Sequence, residues 1–407
     1  MNRGVKSFNG FQKKVLAGCF IVYLCTYIGR LNMSATLDDI ILEFGIDKAR
    51  GGLLQTVFAA FYAAGQLVFG TLADRFEPKR LMSAGLLGSA ACNLAFSFMP
   101  SFELLVAAWT LNGIFQSMIW TPIVLCMAYT FDDSRRKSAS FVMSFTLAAG
   151  NLAAWALAMY LSSVLSWRWS YRLPAAVLVL AALACWLMLP GNIRGEKGQK
   201  KQTVLSARPV RELWGTGLVL LLMCCAMNGF VRDGVITWSP TILGSNRGNM
   251  LFSLIIPCVN MLGILLGSYL VRRVRSNIRG LVGMMMACVA LPALICFLGA
   301  AWPVWALAVL LGAMSALLYG TNPLLTTLVP LGYDAYGRVG LVAGLIDCSI
   351  YLGSALAGTL TGSLYEAGGS WKGVYLIWTG AAVFSCLMAL LASRRRVLTK
   401  QEIQPQG

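Results

Sequence analysis

Long apolar runs alternate with short polar segments along almost the whole chain. The runs recur from residue 15 to residue 393, and each has the length of about 20 residues that a helix needs to cross a hydrocarbon core of about 30 Å. We place twelve spans at 15–36, 51–73, 81–99, 104–130, 139–164, 173–190, 212–240, 250–271, 280–300, 304–328, 338–363 and 373–393. The pattern predicts an all-α membrane protein with twelve transmembrane helices.

Composition and charge agree with this prediction. The chain is 58% hydrophobic and its mean hydropathy is +0.70, outside the range of soluble proteins. The net charge of +17 comes from basic clusters at alternate ends of the spans: Lys13 and Lys14, Lys79 and Arg80, Arg135 and Arg136, Arg272 and Arg273, and the tail from Arg394 to Arg396. Because cytoplasmic loops carry such an excess, we expect a multi-pass protein of the cell inner (plasma) membrane with both termini cytoplasmic. Its partner is the lipid bilayer and not a nucleic acid.

The residues that the sequence lacks exclude several functions. There is no histidine, which excludes His-based catalysis and His metal sites. A phosphate-binding GxxxxGK[ST] loop is also missing, so the chain has no ATP-driven motor of its own. We predict no catalytic residue, metal or cofactor, and do not expect an enzyme.

A polar segment at 191–211 divides the spans into two sets of six. Arg30 lies 202 residues before Arg232, and Pro122 lies 201 residues before Pro323. This common spacing predicts two six-helix halves related by a pseudo-twofold axis, as in secondary transporters that bind substrate near the midplane between the halves. The predicted domains are residues 1–190, the cytoplasmic linker 191–211, and residues 212–407.

The loop after the second span has a recognisable motif. "GTLADRFEPKR", residues 70–80, resembles the G-x-x-x-D-R-x-G-R-K signature of the major facilitator superfamily, and departs from it at Glu77 and Pro78. The resemblance implies the major facilitator fold and a gating role for Gly70, Asp74 and Arg75. The alternative is a basic cytoplasmic turn with no gating role.

Two arginines interrupt apolar spans at matching depths. An arginine at the centre of a transmembrane helix costs about 2.5–3.5 kcal/mol on insertion scales, so something must offset Arg30 and Arg232. An anion bound between them would do so, since a guanidinium suits bidentate contact with phosphate or carboxylate. The alternatives are a local acid or snorkelling to an interface. Asp233 is expected to be a poor partner for Arg232, because adjacent residues point to different faces of a helix.

Several motifs together are similar to the organophosphate:phosphate antiporter family, which exchanges glycerol-3-phosphate or hexose phosphates for inorganic phosphate. They are "YIGRLN" in the first span, "DRFEPKR", "GIFQSMIWTP" in the fourth and "VRDGVITWSPTIL" in the seventh. The resemblance implies that the two arginines bind the substrate phosphate. The candidate substrate-binding residues are Arg30, Arg232, Tyr23, Tyr27, Tyr62, Gln66, Trp120, Tyr319, Asp347 and Tyr351. Tyr27, one turn before Arg30, is expected to hydrogen-bond to it.

The sequence departs from this family at two positions. The glycerol-3-phosphate carriers of the family have a lysine where this chain has Gln66, and a histidine in the fifth span near the position of Leu147. One positive charge fewer allows a substrate less charged than a phosphate dianion, such as a carboxylate or a phosphonate.

Asp347 lies inside the eleventh span, where a carboxylate is expensive and by default functional. Three roles are open for it: a proton carrier, a partner for Arg232, or a partner for a substrate amino or hydroxyl group. A structural role, with its charge met only by polar neighbours, is the alternative.

These observations predict a secondary active transporter of small organic anions (organophosphate, phosphonate or carboxylate) that works by alternating access. The resemblance implies antiport against inorganic phosphate. Proton-coupled symport is the alternative that Asp347 favours, and a transporter-like sensor of a phosphorylated metabolite is a further one. We expect a monomer.

Overall fold

The computed structural model describes residues 8–72, 76–191, 210–244, 251–274, 277–299, 302–333, 336 and 338–395. Within these ranges the regular structure is helical and contains no strand. The helices are α1 (Gly10–Ile28), α2 (Asn32–Phe44), α3 (Lys48–Leu72), α4 (Pro78–Phe96), α5 (Phe102–Thr130), α6 (Asp133–Val164), α7 (Trp169–Met188), α8 (Val210–Trp214), α9 (Leu218–Leu243), α10 (Ile255–Arg273), α11 (Ile278–Leu298), α12 (Val304–Pro323), α13 (Val329–Leu331), α14 (Val339–Gly368) and α15 (Lys372–Ser393). A π-helical turn, Leu324–Leu328, joins α12 to α13.

Each predicted span coincides with one long helical segment. In the part of the chain that the structure describes, eleven segments are long and apolar enough to cross a membrane, with α1 and α2 counted as one. The remaining predicted span, 81–99, corresponds to α4, which carries Lys79, Arg80 and Asn93 and is not among those eleven segments. The predicted all-α membrane fold is confirmed.

The first span differs most from its prediction. The sequence places it at 15–36, whereas the helical segment runs from Gly10 to Phe44 and is interrupted between Ile28 and Asn32. The amide of Arg30 donates to the Tyr27 carbonyl at 3.3 Å, an i→i−3 hydrogen bond, and shares this acceptor with the amide of Leu31 at 3.0 Å, so the regular i→i−4 ladder is interrupted there. Arg30 therefore lies at a break in the helix and not within a continuous span.

The most extensive contact between helices joins α3 of the first six spans to α14 of the last six. A Cβ on Gly52 would lie 2.3 Å from the Gly358 carbonyl oxygen, and one on Gly358 would lie 2.1 Å from the Gly52 carbonyl oxygen. Only glycine permits backbones to approach so closely. Nearby, the Thr56 hydroxyl donates to the Ala355 carbonyl at 2.6 Å. At this end, close backbone contact between α3 and α14 closes the space between the two helices.

The hydrophobic cores follow the order of the chain. One core is made of buried residues between Val15 and Leu189, and a larger one consists mostly of residues between Leu213 and Ala392, joined by Ala148, Trp155 and Met159 of α6. The predicted linker 191–211 falls almost wholly on residues 192–209, which lie outside the described residues. The division into domains at that linker stays a prediction.

Candidate functional site

A cavity of about 120 Å³ lies where α1, α2, α3, α5 and α6 meet α9, α12 and α14. The structure brings every predicted substrate-binding residue to its wall. The wall contains Tyr23, Tyr27, Arg30, Tyr62, Gln66, Trp120, Arg232, Tyr319, Asp347 and Tyr351. Residues up to 328 positions apart in the sequence thus share one site.

The break between α1 and α2 is held by buried amide side chains. The carbonyl oxygen of Gly29 accepts hydrogen bonds from Asn93 Nδ2 at 2.9 Å and from Asn112 Nδ2 at 3.1 Å. One turn earlier, the Thr26 carbonyl accepts one from Gln116 Nε2 at 3.2 Å. A backbone carbonyl freed from its helix must find another partner in a membrane, and these amides supply it. These hydrogen bonds fix the backbone conformation next to Arg30 and therefore the position of its side chain.

A second layer of hydrogen bonds orients those amides. Asn32 Nδ2 donates to Asn93 Oδ1 at 3.0 Å and to the Ser170 carbonyl at 2.9 Å, and Ser89 Oγ donates to Asn112 Oδ1 at 2.6 Å. Our sequence reasoning missed this network. The available signal was the presence of amide residues inside otherwise apolar spans, such as Asn93 in "ACNLAF" and Asn112 in "TLNGIF".

Arg30 faces the cavity without an acidic partner among the described residues. Its guanidinium carbon lies 4.1 Å from the ring centroid of Tyr27 and 5.9 Å from that of Tyr62. The expectation of a hydrogen bond between Arg30 and Tyr27 is wrong. The two residues interact instead through a cation–π contact, because the guanidinium lies over the face of the ring, where the π electrons attract a cation. Within the described part of the chain, the guanidinium of Arg30 donates no hydrogen bond, so its N–H groups are available to a ligand.

Arg232 is already paired. Its Nε donates to Asp233 Oδ1 at 2.7 Å and its Nη2 to Asp233 Oδ2 at 3.1 Å, while Nη1 donates to Asn322 Oδ1 at 2.8 Å. The expectation that Asp233 is a poor partner is therefore wrong. Although the two residues leave the helix in different directions, both side chains are long enough to turn towards each other. A buried charge without compensation is costly, which favours this pairing.

Asp347 lines the same cavity from α14. It is close enough to Arg232 to interact electrostatically, but the described residues offer it no hydrogen bond and no ion pair. It lies one turn before Tyr351 on the same helix, so both side chains lie on the same face of α14.

Aromatic side chains form much of the remaining wall. The ring centroids of Tyr23 and Trp120 are 4.6 Å apart, and those of Tyr62 and Tyr351 are 4.3 Å apart. Tyr319 accepts a hydrogen bond from Asn151 Nδ2. The cavity thus presents π faces and phenol groups beside its charges.

At the two positions where this chain departs from the resembling family, the uncharged residues Gln66 and Leu147 replace a lysine and a histidine. Gln66 Nε2 donates to the Tyr62 hydroxyl at 3.1 Å, and Gln66 Oε1 accepts from Thr121 Oγ1 at 3.2 Å. Leu147 also lines the cavity. Both positions are therefore part of the wall, and neither carries charge.

The predicted gating residues are only partly described. Gly70 lies near the end of α3, whereas Asp74 and Arg75 lie outside the described residues. Their role stays a prediction.

A second cavity, of about 220 Å³, lies between α2, α6 and the end of α9. Its wall includes Ser34, Asp38, Asp39 and Ser162. Ser34 belongs to both cavities, and its Oγ accepts a hydrogen bond from Trp155 Nε1 at 2.9 Å. Ser34 and Trp155 therefore form part of the partition between the two spaces.

Comparison with known proteins agrees with this architecture. The chain is 24% identical over 268 residues to the glycerol-3-phosphate transporter of Bacillus subtilis, covering 60% of each chain. It is 25% identical over 297 residues to protein spinster homolog 1 of Homo sapiens, covering 66% of this chain and 56% of the relative. The matched part spans about half the length of the curated relatives.

A solved structure shows the same fold. The crystal structure of a bacterial homologue of the human lysosomal transporter Spinster, inward-facing and unoccupied, superposes with a TM-score of 0.76 at 18% identity, covering 96% of this chain and 98% of that one. The family model of the Major Facilitator Superfamily matches residues 19–346. The chain therefore belongs to the Major Facilitator Superfamily.

Proposed function

We propose that the chain is a secondary active transporter of a small organic anion, either a phosphate ester, a phosphonate or a carboxylate. The observation that carries this proposal is Arg30, a permanent cation that faces a membrane-embedded cavity with no acidic partner among the described residues. Such a charge is costly in a membrane and is stabilised when an anion binds to it. The glycerol-3-phosphate transporter among the relatives is named for an anion of this class.

The size of the cavity supports a small substrate. Its volume of about 120 Å³ is well below the roughly 300–1,000 Å³ of pockets that take drug-sized ligands. Four polar side chains beside the arginines offer partners to a few functional groups: Gln55, Gln66, Asn322 and Thr326. A substrate with one anionic group and a short carbon chain fits this description.

The packing of α3 against α14 supports alternating access. The two helices close one end of the cavity through Gly52 and Gly358. The backbone amide of Lys48 also donates to Glu366 Oε1 at 2.9 Å. The basic clusters predict that this end faces away from the cytoplasm, so the central site is closed on its outer side in this state. Transport then requires the α3–α14 contact to separate while the opposite ends of the halves close.

We propose antiport as the coupling mode. The unpaired charge of Arg30 in a membrane-embedded cavity opposes reorientation unless an anion is bound, which makes transport an exchange. Proton-coupled symport is the second candidate, and the observation that favours it is Asp347, which has no hydrogen-bond partner among the described residues. In proteoliposomes, acceleration by phosphate on the opposite side supports antiport. Acceleration by a proton gradient without any counter-anion supports symport.

The orientation of the protein follows from the same charge pattern. We propose that it lies in the cell inner (plasma) membrane with both termini in the cytoplasm, and that it acts as a monomer.

Counterflow in proteoliposomes tests the proposed substrate class. Glycerol-3-phosphate, an alkylphosphonate and a carboxylate are loaded in turn, and uptake of the labelled compound is followed in the wild type and in Arg30→Gln. The matched control is Arg50→Gln, which removes the same charge from an exposed ion pair with Glu103. We expect counterflow with at least one compound in the wild type and the control, and none in Arg30→Gln. Equal uptake in all three proteins, or no counterflow with any anion in the wild type, contradicts the proposal.

A further inference from the structure

The central cavity contains equal numbers of acidic and basic side chains. Its charged wall residues are Arg30, Arg232, Asp233 and Asp347. Arg232 and Asp233 neutralise each other through two hydrogen bonds. Within the described residues, one cation, Arg30, and one anion, Asp347, are then left to interact with a ligand.

The side chains of Arg30 and Asp347 line the same cavity. Arg30 lies 5.9 Å from the ring of Tyr62, and the ring of Tyr62 lies 4.3 Å from that of Tyr351. Tyr351 is one turn after Asp347 on α14, and a turn of helix advances about 5.4 Å. Since Arg30 and Asp347 line one cavity of about 120 Å³, a single small ligand can contact Arg30 with one end and Asp347 with the other.

A simple anion leaves this site incomplete. It would neutralise Arg30 and leave the Asp347 carboxylate in a membrane-embedded space with no hydrogen bond or ion pair among the described residues, which is costly for a charged group. A ligand that carries its own ammonium group provides that partner through charge-assisted hydrogen bonds. The rings of Tyr23 and Trp120, which line the same space, offer π faces that also favour a cation.

We propose that the substrate is a small zwitterion, whose phosphate, phosphonate or carboxylate group contacts Arg30 and whose ammonium group contacts Asp347. The inference rests on the proposed function and narrows its substrate class. Because both side chains line a cavity of only about 120 Å³, the linker between the charged groups is expected to be short.

A matched pair of ligands tests the inference without any measurement of transport. Ethylphosphonate and 2-aminoethylphosphonate differ by one amino group, and their Kd values are measured by calorimetry on the purified full-length protein in nanodiscs. We expect 2-aminoethylphosphonate to bind at least about tenfold more tightly to the wild type, the gain typical of hydrogen bonds between charged groups. In Asp347→Asn the two ligands should bind within about twofold of each other, whereas Glu103→Gln, an exposed acid outside the cavity, should keep the full gain.

The possible failures are distinguishable. If both ligands bind Arg30→Gln as they bind the wild type, the proposed function itself is wrong. If neither ligand binds the wild type, the zwitterion inference is overturned, whereas the proposed function is tested separately by counterflow. If both bind in an Arg30-dependent way with equal Kd, the anion site stands and the zwitterion inference is overturned. A tenfold gain that persists in Asp347→Asn also overturns it, because the ammonium group then contacts something else. Asp347→Ser provides the same comparison if Asp347→Asn does not fold.

Discussion

Arg232 and Asp233 are neighbours in the sequence and are joined by two hydrogen bonds of 2.7 and 3.1 Å, whereas Arg30, which lies one repeat earlier, stacks on Tyr27 and has no such partner among the described residues. The two arginines occupy matching places in the sequence, but only one of them is free to bind an anion. The two arginines therefore differ in whether their guanidinium groups are available to a ligand.

Removal of the Asp233 charge should destabilise the empty protein. Asp233→Asn leaves Arg232 with neutral hydrogen-bond partners only, and breaking a buried ion pair by removing one member costs about 3–5 kcal/mol. We expect a lower melting temperature without ligand, and a larger rise on addition of inorganic phosphate than in the wild type, because Arg232 then binds the anion too. Thermal unfolding with and without phosphate measures both effects.

Glu103→Gln is the control for this experiment. Its partner Arg50 is 55% exposed and Glu103 itself is 71% exposed, and exposed ion pairs contribute about 0–1 kcal/mol. A melting temperature for Asp233→Asn that equals that of Glu103→Gln, with no additional response to phosphate, would show that the buried pair has no such role.

Asn93 should affect ligand binding without contacting the ligand. Asn93→Leu removes one of the two hydrogen bonds to the Gly29 carbonyl and the acceptor of Asn32. An unsatisfied buried polar group costs about 1–3 kcal/mol, so we expect lower stability together with about tenfold weaker anion binding, because Arg30 loses its fixed backbone.

Asn260→Leu is the matched control for Asn93→Leu. Asn260 is also fully buried, but neither of its side-chain polar atoms has a hydrogen-bond partner, and it does not line the cavity. Replacing it by leucine should leave binding unchanged and stability equal or higher. If Asn93→Leu bound the anion as tightly as Asn260→Leu does, the network would have no part in positioning Arg30.

A single methyl group at Gly358 should stop transport. In Gly358→Ala the new Cβ would lie 2.1 Å from the Gly52 carbonyl oxygen, so α3 and α14 cannot close as they do here. We expect a loss of counterflow of at least about tenfold, with anion binding retained because the cavity wall is intact. Gly344→Ala makes the same change on the same helix with no atom within 4 Å, and should transport normally. Equal transport by both variants would mean that this contact is not needed for alternating access.

Gln66→Lys should change the preferred charge of the ligand. The substitution adds a cation to the cavity wall at a position where the resembling family has one. Because each pair of charges a few Å apart interacts by about 1–4 kcal/mol in partly screened surroundings, the ratio of Kd for a carboxylate to Kd for a phosphate ester should rise by about tenfold or more. Gln66→Leu removes the amide without adding charge and should leave that ratio unchanged. The Kd values of both ligands for the three proteins settle the comparison.

Much of the architecture could be predicted from the sequence because hydropathy and charge report directly on the bilayer. The spans were located to within a few residues, and the repeat spacing correctly paired Arg30 with Arg232 across the cavity that both line. The first span was predicted too short: it was placed at 15–36, before Asp38 and Asp39, whereas α2 continues past them to Phe44.

The fine structure of the site could not be predicted in this way. The break at Gly29 depends on Asn93 and Asn112, which come from α4 and α5. Such hydrogen bonds to backbone carbonyls depend on how distant helices pack, and hydropathy contains no information about that. The pairing of Arg232 with Asp233 was missed for a related reason: helix periodicity predicts where a side chain starts, but a long side chain can reach a neighbour on another face.

The most direct test of the account is equilibrium binding to an Arg30 variant. Calorimetry with the anion that counterflow identifies should show that Arg30→Gln weakens binding by at least about 100-fold, the loss expected for one charge-assisted contact in a water-poor site, while Arg50→Gln binds like the wild type. If Arg30→Gln, correctly folded by its melting curve, binds the anion as tightly as Arg50→Gln does, Arg30 is not the anion-binding residue and the central claim is wrong.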